Sequence, residues 1–248
     1  MTRWKLTVEY DGTGLVGWQR QDNGPSVQAV LEVAAERLCG QTVVVHAAGR
    51  TDAGVHALGQ VAHFDADKPL GADAVCGGLN HWLREAGCHQ IAVLAAEAAA
   101  PDFHARFSAV GRRYVYRIVN RRPPPTLERE RAWWVPRPLD ADAMAEAARL
   151  IEGHHDFTTF RAAECQAASP VKTLDRLEVT RQGDGITVRA AARSFLHHQV
   201  RNMVGSLRLV GEGRWSPADL GAALAARDRG RGGPTAPACG LYLVEVLY

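Results

Sequence analysis

Apolar residues along this chain recur with a period of two, then of three to four, then of two again, and the chain runs through that order twice. In the opening strand Leu6, Val8 and Tyr10 alternate with Lys5, Thr7 and Glu9. Pro25-Ser26 opens a helix in which Ser26 can cap free N–H groups, Val27, Val30, Leu31, Ala34 and Leu38 have helical spacing, and Gly40 can end it. Val43 to Val45 and Val61 to Phe64 read as strands joined by a loop, and a helix from about Asp73 to Leu83 and a strand from Ile91 to Leu94 close the half.

The second half opens with a strand that puts Tyr114, Tyr116 and Ile118 on one face, and the Pro-rich connector Pro123-Pro124-Pro125 follows. After Asp140 a helix aligns Met144, Ala147, Ala148 and Ile151, with Gly153 past its end. Leu174 to Thr180 and Ile186 to Ala192 form strands around the turn Gly183-Asp184-Gly185. A helix from about His198 to Val210 buries Val200, Met203, Val204 and Leu207, and Ser216-Pro217 starts another. Leu241 to Leu247, apolar on both faces apart from Glu245, suits an interior strand. The expected architecture is α+β: two related halves, 1–107 and 108–248, each an antiparallel sheet with helices on one face, and a functional cleft between them.

At 248 residues the chain can bury a substantial core. No apolar run approaches the roughly 18 to 20 residues of a membrane span, and Met1 to Leu6 passes straight into a strand without a signal-peptide apolar region, so a cytoplasmic location is expected. Cys39, Cys76, Cys88, Cys165 and Cys239 are scattered and never form Cys-x-x-Cys, which argues against a disulfide framework or a zinc site and suggests mostly buried thiols. His154-His155 and His197-His198 lack the helical i, i+4 spacing of a zinc hydrolase, so no metal is expected. Net charge is only +2, yet of 29 basic residues three are lysines and 29 − 3 = 26 are arginines. Clusters such as Arg112-Arg113, Arg121-Arg122 and Arg129, Arg131 can follow an RNA backbone, although genomic base composition alone also enriches arginine.

Gly12-Thr13-Gly14-Leu15-Val16-Gly17 fits the dinucleotide pattern Gly-x-Gly-x-x-Gly, but eight residues separate it from the helix that would have to begin inside it. Nucleotide-cofactor binding is therefore not expected. No Gly-x-Ser-x-Gly element and no cysteine in a nucleophile setting is present. What remains is Asp52, in Gly49-Arg50-Thr51-Asp52-Ala53-Gly54-Val55-His56, on a loop between two strands. Asp-Ala-Gly is equally the grammar of a plain turn. A carboxylate in a desolvating pocket stays ionised if a cation stands near, and Arg201, beside the apolar stripe of its helix, is one source of it. Tyr114 is either a core residue or a stacking surface for a flipped base.

Several segments together resemble the bacterial tRNA pseudouridine synthases of the A type. They are Glu9-Tyr10-Asp11-Gly12, Gly17-Trp18-Gln19-Arg20-Gln21, Ala48 through His56, Phe103-His104-Ala105-Arg106-Phe107-Ser108, Arg113-Tyr114, Asp156-Phe157-Thr158, Val200-Arg201-Asn202-Met203-Val204-Gly205 and Gly240-Leu241-Tyr242-Leu243. The resemblance implies isomerisation of uridine to pseudouridine in the anticodon stem-loop of tRNA, at positions 38, 39 and 40. It implies Asp52 as catalytic aspartate with Arg201 as its partner, Tyr114 stacked on the target base, and Arg50 assisting base flipping. Phe103, His104, Ala105, Arg106 and Phe107 match an RNA-contacting segment, and Arg122 and the loop Glu164 to Ala168, with Gln166, fall where the family also touches RNA. A homodimer without cofactor or metal is implied as well. The reaction breaks a C–N bond and makes a C–C bond with no net redox change, which fits a chain without a nicotinamide signature. The rival reading is an RNA-binding or tRNA-chaperone module without chemistry.

Overall fold

The computed structural model describes every residue from Met1 to Tyr248. In chain order the elements are β1 (Thr2–Tyr10), α1 (Val27–Cys39), β2 (His46–Ala47), β3 (His56–Ala66), α2 (Ala72–Glu85), β4 (Ile91–Ala99), β5 (Gly111–Val119), β6 (Trp133–Trp134), α3 (Ala141–Arg149), β7 (Gly153–Asp156), β8 (Val171–Gln182), β9 (Gly185–Ala192), α4 (Gln199–Gly211), α5 (Pro217–Ala226) and β10 (Leu241–Leu247). They form two compact units, Met1–Val110 together with Tyr242–Tyr248, and Gly111–Leu241.

In the first unit β1 lies between β4 and β3 and is antiparallel to both. Trp4, Leu6, Val8 and Tyr10 are buried on one face of β1, as the alternation requires. β10 runs parallel to β3, with Tyr242 opposite His56 and Leu243 opposite Ala57. The last strand therefore belongs with the N-terminal unit, which departs from a simple division at 107/108. Ser26 caps α1 by accepting from the Ala29 N–H, and Gly40 ends it in the left-handed region at φ 72°.

Val43 to Val45 is not a strand. Val43 and Val45 are buried and Val44 is exposed, an alternation like a strand's, but the Val45 backbone bonds side chains of α1 instead of a neighbouring strand. The Val45 N–H donates to Glu32 Oε1 at 3.1 Å, and Gln28 Nε2 donates to the Val45 carbonyl at 3.1 Å. Only His46–Ala47 joins β3.

In the second unit the sheet order is β5-β9-β8-β7, all antiparallel, with β6 added parallel to β5. α3 packs on β8, and α4 and α5 pack on α3. Asp140 caps α3, and Ser216 with Asp219 forms a reciprocal capping box on α5. Of the cysteines, Cys39 and Cys165 are buried and the other three half-buried, so burial is less complete than the sequence suggests.

Candidate active site and RNA-contacting residues

Asp52 stands on the loop between β2 and β3, half-buried, with Arg50 exposed two residues before it. The loop is fixed at several points by its own unit. The Ala48 N–H donates to the Val61 carbonyl at 2.8 Å, and Gln60 Nε2 donates to the Gly49 carbonyl at 2.8 Å. The Tyr10 hydroxyl and Thr51 Oγ1 are 2.8 Å apart in a buried hydrogen bond. The Trp18 N–H donates to the Thr51 carbonyl at 3.0 Å, and the Val55 N–H to the Asp52 carbonyl at 3.1 Å. Burial pushes the Tyr10 phenol up to about 12, so at neutral pH it keeps its proton.

The glycines that mimic a dinucleotide motif have a different use here. Gly17 sits at φ 102°, and a Cβ on it would stand 2.5 Å from the Thr51 carbonyl oxygen. A Cβ on Gly12 would overlap the Val55 carbonyl oxygen. The β1–α1 loop thus lies directly against the Asp52 loop, and only glycine permits that approach.

Tyr10 and Gln60 are positioning residues that the sequence did not single out. A glutamine in the otherwise apolar or small stretch Ala57–Val61, in register with Val8 of β1, was the available signal. Tyr10→Phe leaves Thr51 Oγ1 without this partner in a buried setting, at a cost of about 1–3 kcal/mol. Thermal melts are expected to show that loss, and kinetics a kcat lowered about tenfold with an unchanged KM. An unchanged kcat would detach Tyr10 from the placement of the loop.

Phe103–Phe107 follows β4 as a turn in the same unit. Arg3 Nη1 donates to the Pro101 and Phe103 carbonyls at 2.6 and 2.8 Å, while its guanidinium holds Asp65 through bonds of 2.8 and 2.7 Å. That contact lowers the Asp65 pKa and raises that of Arg3. The Tyr248 hydroxyl donates to the Ala105 carbonyl at 2.7 Å. Phe107 is 74% exposed, with the Arg106 guanidinium 5.6 Å from its ring centroid.

In the second unit Tyr114 lies on β5, half-buried, with its ring edge-on to Phe195 at 5.2 Å and 88°. Its same-face neighbours Tyr116 and Ile118 are fully buried. Arg201 is in the first turn of α4, half-buried, its Nε donating to the Ala236 carbonyl at 2.8 Å while the Ala236 N–H donates to the Arg201 carbonyl at 3.1 Å. Its neighbours in the motif are structural. Asn202 accepts from Thr235 Oγ1 at 2.7 Å and donates to the Phe160 carbonyl at 2.9 Å. At Gly205 an added Cβ would overlap the Pro234 carbonyl oxygen. Arg122 and Gln166 are exposed on loops, the latter in a segment braced by Arg161 Nη2, which donates to the Cys165 and Ala167 carbonyls at 2.6 and 3.2 Å.

A family model described as tRNA pseudouridine synthase matches the chain over residues 6–108 and again over 147–248. Similar proteins named tRNA pseudouridine synthase A occur in Paramagnetospirillum magneticum, 63% identical over all of this chain and 96% of that protein, and in Rhodospirillum rubrum, 61% identical over all of this chain and 88% of that one. The protein of that name from Sinorhizobium medicae is 58% identical over the full length of both chains. A doubled family match and relatives aligned along the whole chain place it within one group: the chain belongs to the tRNA pseudouridine synthase family.

Proposed function

We propose that the chain isomerises uridine to pseudouridine in the anticodon stem-loop of tRNA, at positions 38, 39 and 40. The observation that carries this reading is the full-length similarity to proteins named tRNA pseudouridine synthase A. The reaction breaks the C1′–N1 bond, turns the uracil, forms C1′–C5, releases the C5 proton to solvent and leaves a proton on N1. Asp52 is the proposed catalytic group, attacking C1′, adding to the uracil ring or removing the sugar 2′ proton. Each of these needs an oxygen in a fixed position, and the bonds to Gly49, Thr51 and the Asp52 carbonyl supply rigidity to the backbone that carries it.

Arg201 is the proposed partner of that carboxylate, and Tyr114 the surface on which the target base stacks. Arg50 fills the space the flipped nucleotide leaves, offsetting an unstacking cost of roughly a few kcal/mol. Phe103, His104, Ala105, Arg106, Phe107, Arg122 and Gln166 contact the RNA. Phosphate contacts of this kind position the stem-loop without reading bases, which suits an enzyme acting on neighbouring uridines. The working form is a cytoplasmic homodimer, which light scattering at assay concentration reads as twice the 26.9 kDa chain; a single-chain mass there removes the dimer.

Mapping pseudouridine in tRNA from cells lacking this chain tests the reading. Loss at positions 38–40, restored by the wild-type chain, is expected; unchanged modification contradicts it. Arg201→Leu is expected to lower turnover by about 10²-fold or more with tRNA binding nearly unchanged. Equal losses in both would make Arg201 a phosphate contact instead.

A further inference from the structure

On the face of β1 and β3 opposite Trp4, Leu6 and Val8, the register sets Arg3 across from Asp65 and Lys5 across from His63, and β2 brings His46 to His63 from the other side. His63 is 2% exposed. Its ring stacks on His46 with centroids 5.1 Å apart and meets the edge of His104 at 4.7 Å. The charged groups facing this cluster are Arg3 and Lys5 on β1, Asp65 on β3, Glu97 on β4, which pairs with Lys5 at 2.8 Å, and Arg106 on the segment itself. Asp102 also acts on Arg3, and the carboxylate beside His63, Asp65, is already held by the Arg3 guanidinium. Burial first, then His104, His46 and Arg3, push His63 down to about 4, and burial, His46 and Arg3 lower His104 as well.

Both rings are used as acceptors. His63 Nδ1 accepts from the Ala105 N–H at 3.2 Å, and His104 Nδ1 accepts from the Arg106 and Phe107 N–H groups at 3.1 and 3.4 Å. A protonated imidazole has no acceptor, so a proton on either ring would set an N–H against an N–H. We propose that neutral His63 and His104 are positioning residues that fix the backbone of Ala105–Phe107 and so present Arg106 and Phe107 to the tRNA. This rests on the reading that Phe103–Phe107 touches the RNA.

Histidines that merely added positive charge near phosphate would tighten binding on acidification. Here the folded-state pKa values are depressed, so the neutral arrangement is fully favoured above the unfolded value of 6.5 and is lost progressively as pH falls toward about 4. In the folded protein the His63 ring still accepts from the Ala105 N–H at pH 5, so affinity for tRNA should not rise between pH 7 and 5 and should weaken as pH falls on toward 4.

The test compares His104→Leu, which has no acceptor, with His104→Asn, whose Oδ1 lies two bonds from Cβ as Nδ1 does and can accept the same N–H groups. His104 is half-buried, so these replacements disturb the core less than a change at His63. Steady-state kinetics on tRNA, amide hydrogen exchange of residues 105–107 in the free protein, and tRNA affinity against pH in an Asp52→Asn background are measured. For His104→Leu the expected result is a KM raised about tenfold with kcat within about twofold, and faster exchange at Arg106 and Phe107. His104→Asn should restore wild-type exchange at Arg106 and Phe107 and recover most of the loss in KM. Unchanged exchange in His104→Leu, no rescue by asparagine, or affinity that rises toward pH 5 overturns the proposal. Faster exchange with an unchanged KM also overturns it, by showing that the segment does not meet the RNA. Wild-type pseudouridine formation, read in the same assay, separates all of these from a failure of the assigned activity.

Discussion

Asp52→Asn is expected to lower pseudouridine formation by at least about 10⁴-fold, with tRNA affinity changed by no more than about threefold. Asparagine keeps the size of the side chain and removes its charge and its nucleophilic or basic oxygen. Each of the three roles proposed for Asp52 requires that oxygen, so the loss is expected on the chemical step. The RNA contacts proposed above are made by other side chains, such as Arg106 and Phe107, which this change leaves in place. Single-turnover rates with enzyme in excess, alongside direct binding, separate the two quantities. A variant that retains a tenth of wild-type rate would remove Asp52 from the reaction.

Gly17→Ala is expected to lower stability by roughly 2–4 kcal/mol and, in the folded fraction, kcat by about 10²-fold. At φ 102° an L-residue is strained, and the new Cβ would face Thr51 O at 2.5 Å, Asp52 C at 3.0 Å and Ala53 N at 3.1 Å. All three are backbone atoms, which cannot rotate away. Relief must come from moving the loop that carries Asp52. Gly14→Ala is the control: its φ of 76° imposes a similar strain, but a Cβ there meets nothing within 4 Å. That variant should lose about 1 kcal/mol and keep its turnover. Thermal melts and kinetics on both decide the matter, and equal kcat values in the two would sever Gly17 from the placement of Asp52.

The parts of the fold legible in the sequence are those with local chemical markers. Ser26 and Gly40 bracket α1, Asp140 opens α3, and Ser216-Pro217 opens α5, because capping is decided within four residues. β1 is legible from alternation, and β8 and β9 from the turn Gly183-Asp184-Gly185 between them. Val43 to Val45 misled because a β-branched run specifies extended backbone, not a partner, and Gln28 and Glu32 had taken the partner's role. β7 escaped notice because Gly153-His154-His155-Asp156 has no apolar alternation; it is an edge strand held only by β8. β10 was legible as a strand but not as a member of the N-terminal unit. Its pairing with β3 joins residues nearly 200 positions apart, and no local pattern encodes that.

The candidate site divides in the same way. Asp52, Tyr114 and Arg201 stood out by resemblance, since an aspartate turn, a strand tyrosine and a helix arginine are each common alone. What fixes the Asp52 loop is not legible in the sequence. Tyr10 reads as one more apolar residue in an alternating strand, yet its hydroxyl bonds Thr51. His63 sits in an apolar stretch as a polar exception, and only the register with His46 and the nearness of His104 give it a use.

Tritium release from tRNA carrying [5-³H]uridine tests the assignment most directly, since forming the C1′–C5 bond must expel the hydrogen on C5. The wild-type chain is expected to release tritium in step with pseudouridine formed, and Asp52→Asn to release none above background. No release by the wild type, or equal release by both, would contradict it.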